Sequence, residues 1–312
     1  MGKENIIVVI GSMNIDIAGH SLSSLNYADS NPGKIKFTPG GVGRNIAENI
    51  ALLGKESVLI SAVGMDNHGE YLNAQTKKSG VNIDHIEKFN DIGTSSYISL
   101  LDNHGEMLVA INDMNIVDKI NPSMLDKKKD VLTSASLIIF DCNLPQETVD
   151  WLMKNYSQTP VFVDPVSAYK CVKIQNHLSR IHTLKPNRIE AETLSGIKIA
   201  DRSDIYKVAD WFHSQGLKRL VISVGADGVF YSEKNGSSGW LNPFKIDVVN
   251  VTGAGDSMIA GLGACFVDKT PFVDSVLFAQ ACSSITLTSQ ETINPDLSVN
   301  NVKYLMECQN VL

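Results

Sequence analysis

The sequence predicts an α/β fold: a mostly parallel sheet covered on both faces by helices, with a small antiparallel sheet attached. Three observations carry this reading. Continuous β-branched runs such as Ile6–Ile10 read as strands buried on both faces. Strand and helix patterns alternate through the second half of the chain, as crossover connections in a parallel sheet require. Segments 34–38, 94–101 and 107–112 break that alternation and read as strands with one exposed face.

The elements follow in order. Ile6–Ile10 ends at Gly11-Ser12, so a loop leaves the carboxyl end of the first strand. Asp29-Ser30-Asn31-Pro32-Gly33 supplies turn formers before the alternating Lys34–Thr38. Ile46, Ile50 and Leu53 share one helical face, and Gly54 is a stop. Val58–Ala62 is a strand and Asn67–Ser79 a helix ending at Gly80. Thr94–Leu101 and Met107–Asn112 flank a Gly-containing turn as a hairpin. Strands at Leu137–Phe140, Val161–Val163, Thr183–Leu184 and Leu220–Val224 are separated by helices near 145–155, 187–195 and 203–215. Val229–Tyr231 and Ile246–Val249 read as short strands, and helices at roughly 254–266 and 271–288 close the chain. The implied division is an α/β core of residues 1–16, 39–92 and 114–312, with residues 17–38 and 93–113 forming an inserted small sheet.

Composition narrows the classes. The 312 residues are 43% apolar and 20% charged, a globular balance with length enough for a full core. Net charge is 27 − 34 = −7, which argues against a general nucleic-acid binder. Lys127-Lys128-Lys129, flanked by Asp126 and Asp130, reads as a solvated helix end. Cys142, Cys171, Cys265, Cys282 and Cys308 are odd in number and widely spaced. They fit neither a zinc knuckle nor a redox dithiol, and predict reduced, mostly buried thiols in a cytoplasmic protein. The sequons Asn155-Tyr156-Ser157, Asn235-Gly236-Ser237 and Asn250-Val251-Thr252 matter only in a secreted chain. Met1–Asn5 leads into a five-residue apolar run, far short of a signal-peptide core. No stretch approaches the ~18 apolar residues of a membrane span, so no membrane partner is expected.

Two glycine-rich segments carry chemistry: Gly40-Gly41-Val42-Gly43-Arg44-Asn45 and Gly253-Ala254-Gly255-Asp256, each at a helix start. Neither is a P-loop, and Gly11-Ser12-Met13-Asn14-Ile15-Asp16 is not a dinucleotide fingerprint. In the second segment small residues let backbone N–H groups converge at the positive end of a helix, which makes an anion hole. Asp256 follows in the first turn. A carboxylate beside a bound anion is costly unless it accepts a proton from an attacking group, which suits an alcohol attacking a phosphoryl group. The alternative is an acidic residue that only complements the helix dipole.

The wider pattern resembles the ribokinase-like (PfkB) family of carbohydrate and nucleoside kinases over essentially the full length. Its residues are Gly40-Gly41-x-x-x-Asn45-x-Ala47, Leu53-Gly54 and Gly64-x-Asp66-x-x-Gly69, then Lys185-Pro186-Asn187-Arg188-Ile189-Glu190, then Thr252-Gly253-Ala254-Gly255-Asp256 with Ala260-Gly261. Segments 25–34, 105–115 and 163–168 resemble a bacterial branch that acts on pseudouridine. The resemblance implies a ribokinase-like three-layer sandwich, with the small antiparallel sheet as a lid over the sugar. It implies ATP-dependent phosphorylation of the 5′-hydroxyl of a small-molecule nucleoside, pseudouridine. Ribose, adenosine or uridine as acceptor, and a catalytically silent sugar-binding regulator, are the competing readings.

By motif, the resemblance makes Asp256 the catalytic base and the N–H groups of Gly253, Ala254 and Gly255 the anion hole. Asn14, Asp16, Gly41 and Asn45 fall at sugar-binding positions, with Asn143 a further polar sugar contact. Asn187 and Glu190 are expected to reach Mg²⁺ through water, and the triphosphate; the alternative is a helix cap plus a surface carboxylate. Ser223, Gly225 and Gly228 match the nucleotide loop, with Thr252, Ala279 and Ser283 along the nucleotide; simple core packing is the alternative for Ala279 and Ser283. Many relatives carry Asp-Thr-Thr where this chain has Asn250-Val251-Thr252, so a K⁺ site lacks its usual charge. Lid sheets in the family often serve as dimer interfaces, which leaves a homodimer open.

Overall fold

Ile7–Ile10 (β1) is buried on both faces, and the reason is its position inside a large sheet, with strands on either side and helices above and below. The computed structural model describes residues 5–156 and 158–309; Met1–Glu4 and Ser157 of the first sequon lie outside the described residues. After β1 come β2 (Asn14–Ser21), β3 (Gly33–Gly40), α1 (Val42–Leu52), β4 (Ser57–Gly64), α2 (Asn67–Lys78) and β5 (Ile86–Phe89). Then follow β6 (Ser96–Leu101), β7 (Met107–Asp113), the short helices α3 (Pro122–Asp126) and α4 (Lys129–Ser134), β8 (Leu137–Asp141) and α5 (Gln146–Asn155). The next units are β9 (Val161–Asp164), α6 (Ala168–Cys171), β10 (Thr183–Leu184), α7 (Arg188–Ser195) and α8 (Asp204–Ser214). The chain finishes with β11 (Arg219–Ser223), β12 (Val229–Glu233), β13 (Ser238–Leu241), α9 (Ala254–Val267), α10 (Phe272–Leu287) and α11 (Val299–Cys308).

The large sheet has the order β13-β12-β11-β10-β9-β8-β1-β4-β5. β1 pairs parallel with both β4 and β8, and only the β11–β12 and β12–β13 pairs are antiparallel. Strand alternation feeds two separate apolar layers. Val8 and Ile10 pack with Phe140, Val163 and Leu152 on one face. Ile7 and Val9 pack with Ile46, Ile50, Ile259 and Ala260 on the other. Both faces are covered, which is why the strands read as unbroken apolar runs.

The second sheet has the order β3-β2-β6-β7. It was expected to be antiparallel, but its central pair, β2 with β6, is parallel. β2 follows β1 and β6 follows β5, so both leave the core from the carboxyl edge of the large sheet and must run the same way. The register sets Ile17 beside Phe37 and Ile98, Ile98 beside Ile111, and Leu100 beside Val109, so one face is apolar. Phe37, Ile98, Leu100, Val109 and Ile111 on that face are all exposed. Asn14 and Asp16 alternate onto the opposite face.

Three local expectations differ from the structure. Residues 246–249 form no strand; the stretch from 242 to 253 is irregular, and Ile246 and Val248 line a cavity instead. The chain closes with a third helix, α11, whose buried stripe is only Val302 and Met306, too narrow to signal a helix by period alone. Strand β2 carries Ala18-Gly19-His20, which lacks strand-forming side chains and gives no alternation signal. The cysteines follow expectation in part: Cys142, Cys171, Cys265 and Cys282 are buried and free, while Cys308 is exposed and free. No helix among the described residues is long and apolar enough to cross a membrane.

Helix α1 is stapled in place by buried charge. Arg44 and Glu48 form a 2.5 Å ion pair with both side chains buried, and Arg44 Nε donates to Thr76 Oγ1 of α2 at 3.0 Å. Breaking such a pair leaves an uncompensated buried charge, so it fixes the helix that presents Asn45.

Candidate active site

The site lies where the carboxyl ends of β1, β8, β9 and β10 meet the N-terminus of α9. Open α/β sheets bind ligands in this crevice, because only there do loops diverge over exposed strand ends. Gly253 caps α9 at φ +82°, and a Cβ at this position would lie 2.0 Å from the Thr292 carbonyl oxygen, so glycine is required. No side chain caps the helix, which leaves its first N–H groups available to an anion.

Asp256 sits in the first turn of α9. Its Oδ2 accepts a 2.8 Å hydrogen bond from Asn45 Nδ2 on α1. Burial, and then the Asp164 carboxylate, push the Asp256 carboxyl up to about 8, against the Asn45 bond and the Lys185 charge, which act to lower it. Across from it, Asn14 Nδ2 donates to Asp16 Oδ1 at 2.7 Å, and burial raises the Asp16 carboxyl. Gly41 lies against the backbone of Met13, and Arg44 N–H donates to the Ser12 carbonyl at 3.0 Å, which docks the start of α1 on the loop after β1. The Oδ1 atom of Asn45 is buried with no partner among the described residues. Asn14, Asp16, Gly41, Asn45 and Asp256 are thus brought together.

Asn143 joins them through a fixed loop. Its Nδ2 donates to Ser12 Oγ at 3.0 Å, and its Oδ1 accepts from Lys170 Nζ at 2.5 Å. Under both loops lies Asp141, fully buried at the end of β8. It accepts from the Ser12 N–H at 2.9 Å and the Asn143 N–H at 2.8 Å, so one carboxylate sets the loops carrying Asn14 and Asn143.

On the other side a cavity of about 710 Å³ is lined by Asn187, Glu190, Ser223, Gly225, Gly228, Ala254, Gly255, Asp256 and Ser283 among others. Its far wall is apolar, with Phe244, Ile246, Val248 and Leu287. A slot of this size, with an apolar wall and a few polar groups near α9, has the character of a small-molecule site. Two expected residues stand outside it. Ala279 is fully buried against Gly261 of α9, so it packs two helices together and does not line the cavity. Thr252 is exposed, and its N–H is held by Asn250 Oδ1 at 3.0 Å.

Asn187 and Glu190 form a reciprocal capping box on α7: Asn187 Oδ1 accepts from the Glu190 N–H at 2.9 Å, and Glu190 Oε2 accepts from the Asn187 N–H at 2.8 Å. The helix-cap reading is therefore real, yet Glu190 is buried and lines the cavity rather than the surface. The cap uses one Glu190 oxygen and leaves the other. No group of three or more His, Cys, Asp or Glu among the described residues could hold a metal. This donor set fits Mg²⁺ that arrives on a triphosphate and keeps its waters, not a cage of protein ligands.

Four residues here were not singled out from sequence. Lys185 is buried and pairs with Asp164 at 3.2 Å. Asp141 and Asp164 both close apolar strands, and a carboxylate at the end of a buried strand is itself a signal. Gln280, next to Ala279, lines the cavity with a buried Oε1 that has no partner among the described residues.

A sheet-edge cavity, an open helix N-terminus and a facing carboxylate define a phosphotransferase with an alcohol acceptor. The chain matches the pfkB family of carbohydrate kinases over residues 5–299 and belongs to that family. It is 58% identical over 307 residues to pseudouridine kinase of Escherichia coli (strain K12), covering 98% of both chains. It is 30% identical over 261 residues to guanosine-inosine kinase of Exiguobacterium acetylicum, covering 83% of this chain and 86% of that one. Among solved structures, Arabidopsis thaliana ribokinase complexed with ribose and ATP superposes with a TM-score of 0.87 over 97% of this chain and 99% of that one; at 21% identity it shares the fold.

The raised Asp256 carboxyl sets a pH dependence. Were Asp256 the base of the transfer, it would have to be deprotonated to accept a proton, and activity would fall as pH drops through its pKa. The acid limb of kcat/KM, which reports the free enzyme, is expected in the neutral range rather than near the ~4 of an ordinary carboxylate. A limb near pH 4 in steady-state profiles would remove Asp256 as the group controlling it.

Proposed function

We propose that this chain transfers the γ-phosphoryl group of ATP to the 5′-hydroxyl of pseudouridine, giving pseudouridine 5′-phosphate and ADP. The observation that carries the acceptor is the 58% identity to pseudouridine kinase over 98% of both chains. The chemistry rests on Asp256 beside the uncapped start of α9. Asn14, Asp16, Gly41 and Asn45 hold the sugar, and a hydroxyl is the kind of donor that the unpaired Asn45 Oδ1 accepts. Asn143 extends that surface. The nucleotide occupies the cavity along Ser223, Gly225, Gly228 and Ser283, with its phosphates toward the N–H groups of Gly253, Ala254 and Gly255. Asp256 takes the hydroxyl proton as the new O–P bond forms. Mg²⁺ would neutralise charge on the phosphates, with Asn187 and Glu190 the residues that would hold its waters. K⁺ has no side-chain charge at Asn250, whose amide bridges Thr252 N–H and the Gln290 carbonyl; backbone carbonyls of that loop would be its ligands.

Residues 17–38 and 93–113 act as the lid, with Asp16 and Asn14 on the face over the acceptor. The exposed apolar face, Phe37, Ile98, Leu100, Val109 and Ile111, is the surface through which we expect a homodimer. An Ile111→Asp variant should sediment as a lighter species than the wild type; equal masses for both would exclude this interface.

Pseudouridine is expected to give a higher kcat/KM than ribose, uridine or adenosine in a phosphorylation panel. A site that pairs a specific base N–H discriminates by up to about 10⁴-fold. Faster turnover of adenosine or ribose would overturn the acceptor.

Asp256→Asn keeps the shape and removes the acceptor charge. It should lower kcat by roughly 10²–10⁴-fold, the contribution of a positioned base, with ATP binding retained. A residue that only complements the helix dipole would instead cost about 0.3–1 kcal/mol of stability and leave kcat near normal. Kinetics and a melting curve on this variant separate the two.

A further inference from the structure

Lys185 follows β10 and is buried, with 4% of its surface exposed. Among the described residues its ion-pair partner is Asp164, with Nζ 3.2 Å from Oδ2, which engages one of the three N–H donors of an ammonium. Burial alone would strip the proton, but the carboxylates of Asp164, Glu190 and Asp256 outweigh it and keep the group charged. A charged, desolvated lysine needs a reason to be there, and its position supplies one. A Cβ built on Gly255 would lie 3.0 Å from Lys185 Nζ, so the ammonium occupies the space beside the second residue of α9 that a larger side chain would crowd. It lines the same cavity as Asn187, Glu190 and Asp256.

We propose that Lys185 is a catalytic residue of the transfer, its ammonium contacting the oxygens of the transferring phosphoryl group at the rim of the α9 anion hole. This deepens the kinase reading and rests on it. In the step, the acceptor oxygen forms a bond to Pγ while the bond from Pγ to the β–γ bridging oxygen breaks. The electron pair of that bond leaves with ADP, and the hydroxyl proton goes to Asp256. Lys185 exchanges no proton. It is a fixed charge that the passage of the phosphoryl group does not have to reorganise, which is why it acts more strongly than a solvated lysine. Asp164 holds it, and the small Gly255 lets it approach.

The test removes the charge without stranding its partner. Lys185→Met alone leaves Asp164 buried and unpaired, so the comparison is between Asp164→Asn and the double variant Asp164→Asn/Lys185→Met. The double variant should show kcat lower than Asp164→Asn by roughly 10²–10³-fold, the usual effect of deleting one transition-state donor, with acceptor KM changed by less than about threefold. Lys185→Arg, which keeps charge in a different shape, should retain part of the activity. A double variant within about threefold of Asp164→Asn in kcat would overturn the proposal and leave Lys185 as Asp164's counter-ion only. A second readout needs no acceptor. Calorimetric affinities for ATP and ADP should show a preference for ATP in Asp164→Asn that shrinks by about tenfold in the double variant, with ADP affinity unchanged. An unchanged ratio would overturn the proposal even if the acceptor is another sugar, whereas a wrong acceptor alone would leave the ratio test intact.

Discussion

Four carboxylates, Asp141, Asp164, Glu190 and Asp256, are gathered at one end of the sheet, with the buried ammonium of Lys185 among them. Concentrated negative charge away from water is unfavourable, and each group meets that cost differently. Asp141 accepts two backbone N–H groups, Glu190 closes a capping box, Asp164 pairs with Lys185, and Asp256 accepts from Asn45. Burial, and then the charge of Asp164, raise the Asp256 carboxyl. Strong proton affinity in that group and a fixed cation beside it arise from the same balance.

The fold supplies this arrangement through its edges. A parallel sheet with both faces covered sends every strand out at one end, so the loops after β1, β8, β9 and β10 must share a small volume. Asp141 ties two of those loops together, and the Arg44–Glu48 pair anchors the helix carrying Asn45. The cluster around Asn14 and Asp16 and the cavity lined by Asn187 and Ser223 then meet at one helix terminus. Side chains on rigid elements, fixed by buried bonds, can hold a reacting geometry that loose loops cannot.

The second sheet is built on a different principle. Its strands have one apolar face turned outward, and Asp16 and Asn14 stand on the other face. An ordered sheet with an uncovered apolar face is costly for an isolated chain, which ties the lid to assembly in the proposal above.

The sequence by itself determined what depends on local period and local backbone geometry. Buried runs such as Ile7–Ile10, the Gly54 stop of α1 and the Gly253–Asp256 helix start are each written within a few adjacent residues. The residues that gather near Asp256 were legible for the same reason, through motifs of four to six residues. Tertiary structure decided the rest. Asn45 and Asp256 lie 211 positions apart, and only the packing of α1 on α9 makes them partners. Lys185 stood in plain view inside a motif, but its burial and its pairing with Asp164 exist only once β10 lies beside β9. The parallel β2–β6 pair, the packed Ala279 and the irregular stretch at 246–249 were misread because each is set by neighbours distant in sequence. Backbone period fixes which face a residue shows along its own element; which element that face meets is fixed by the closure of the layers around the core.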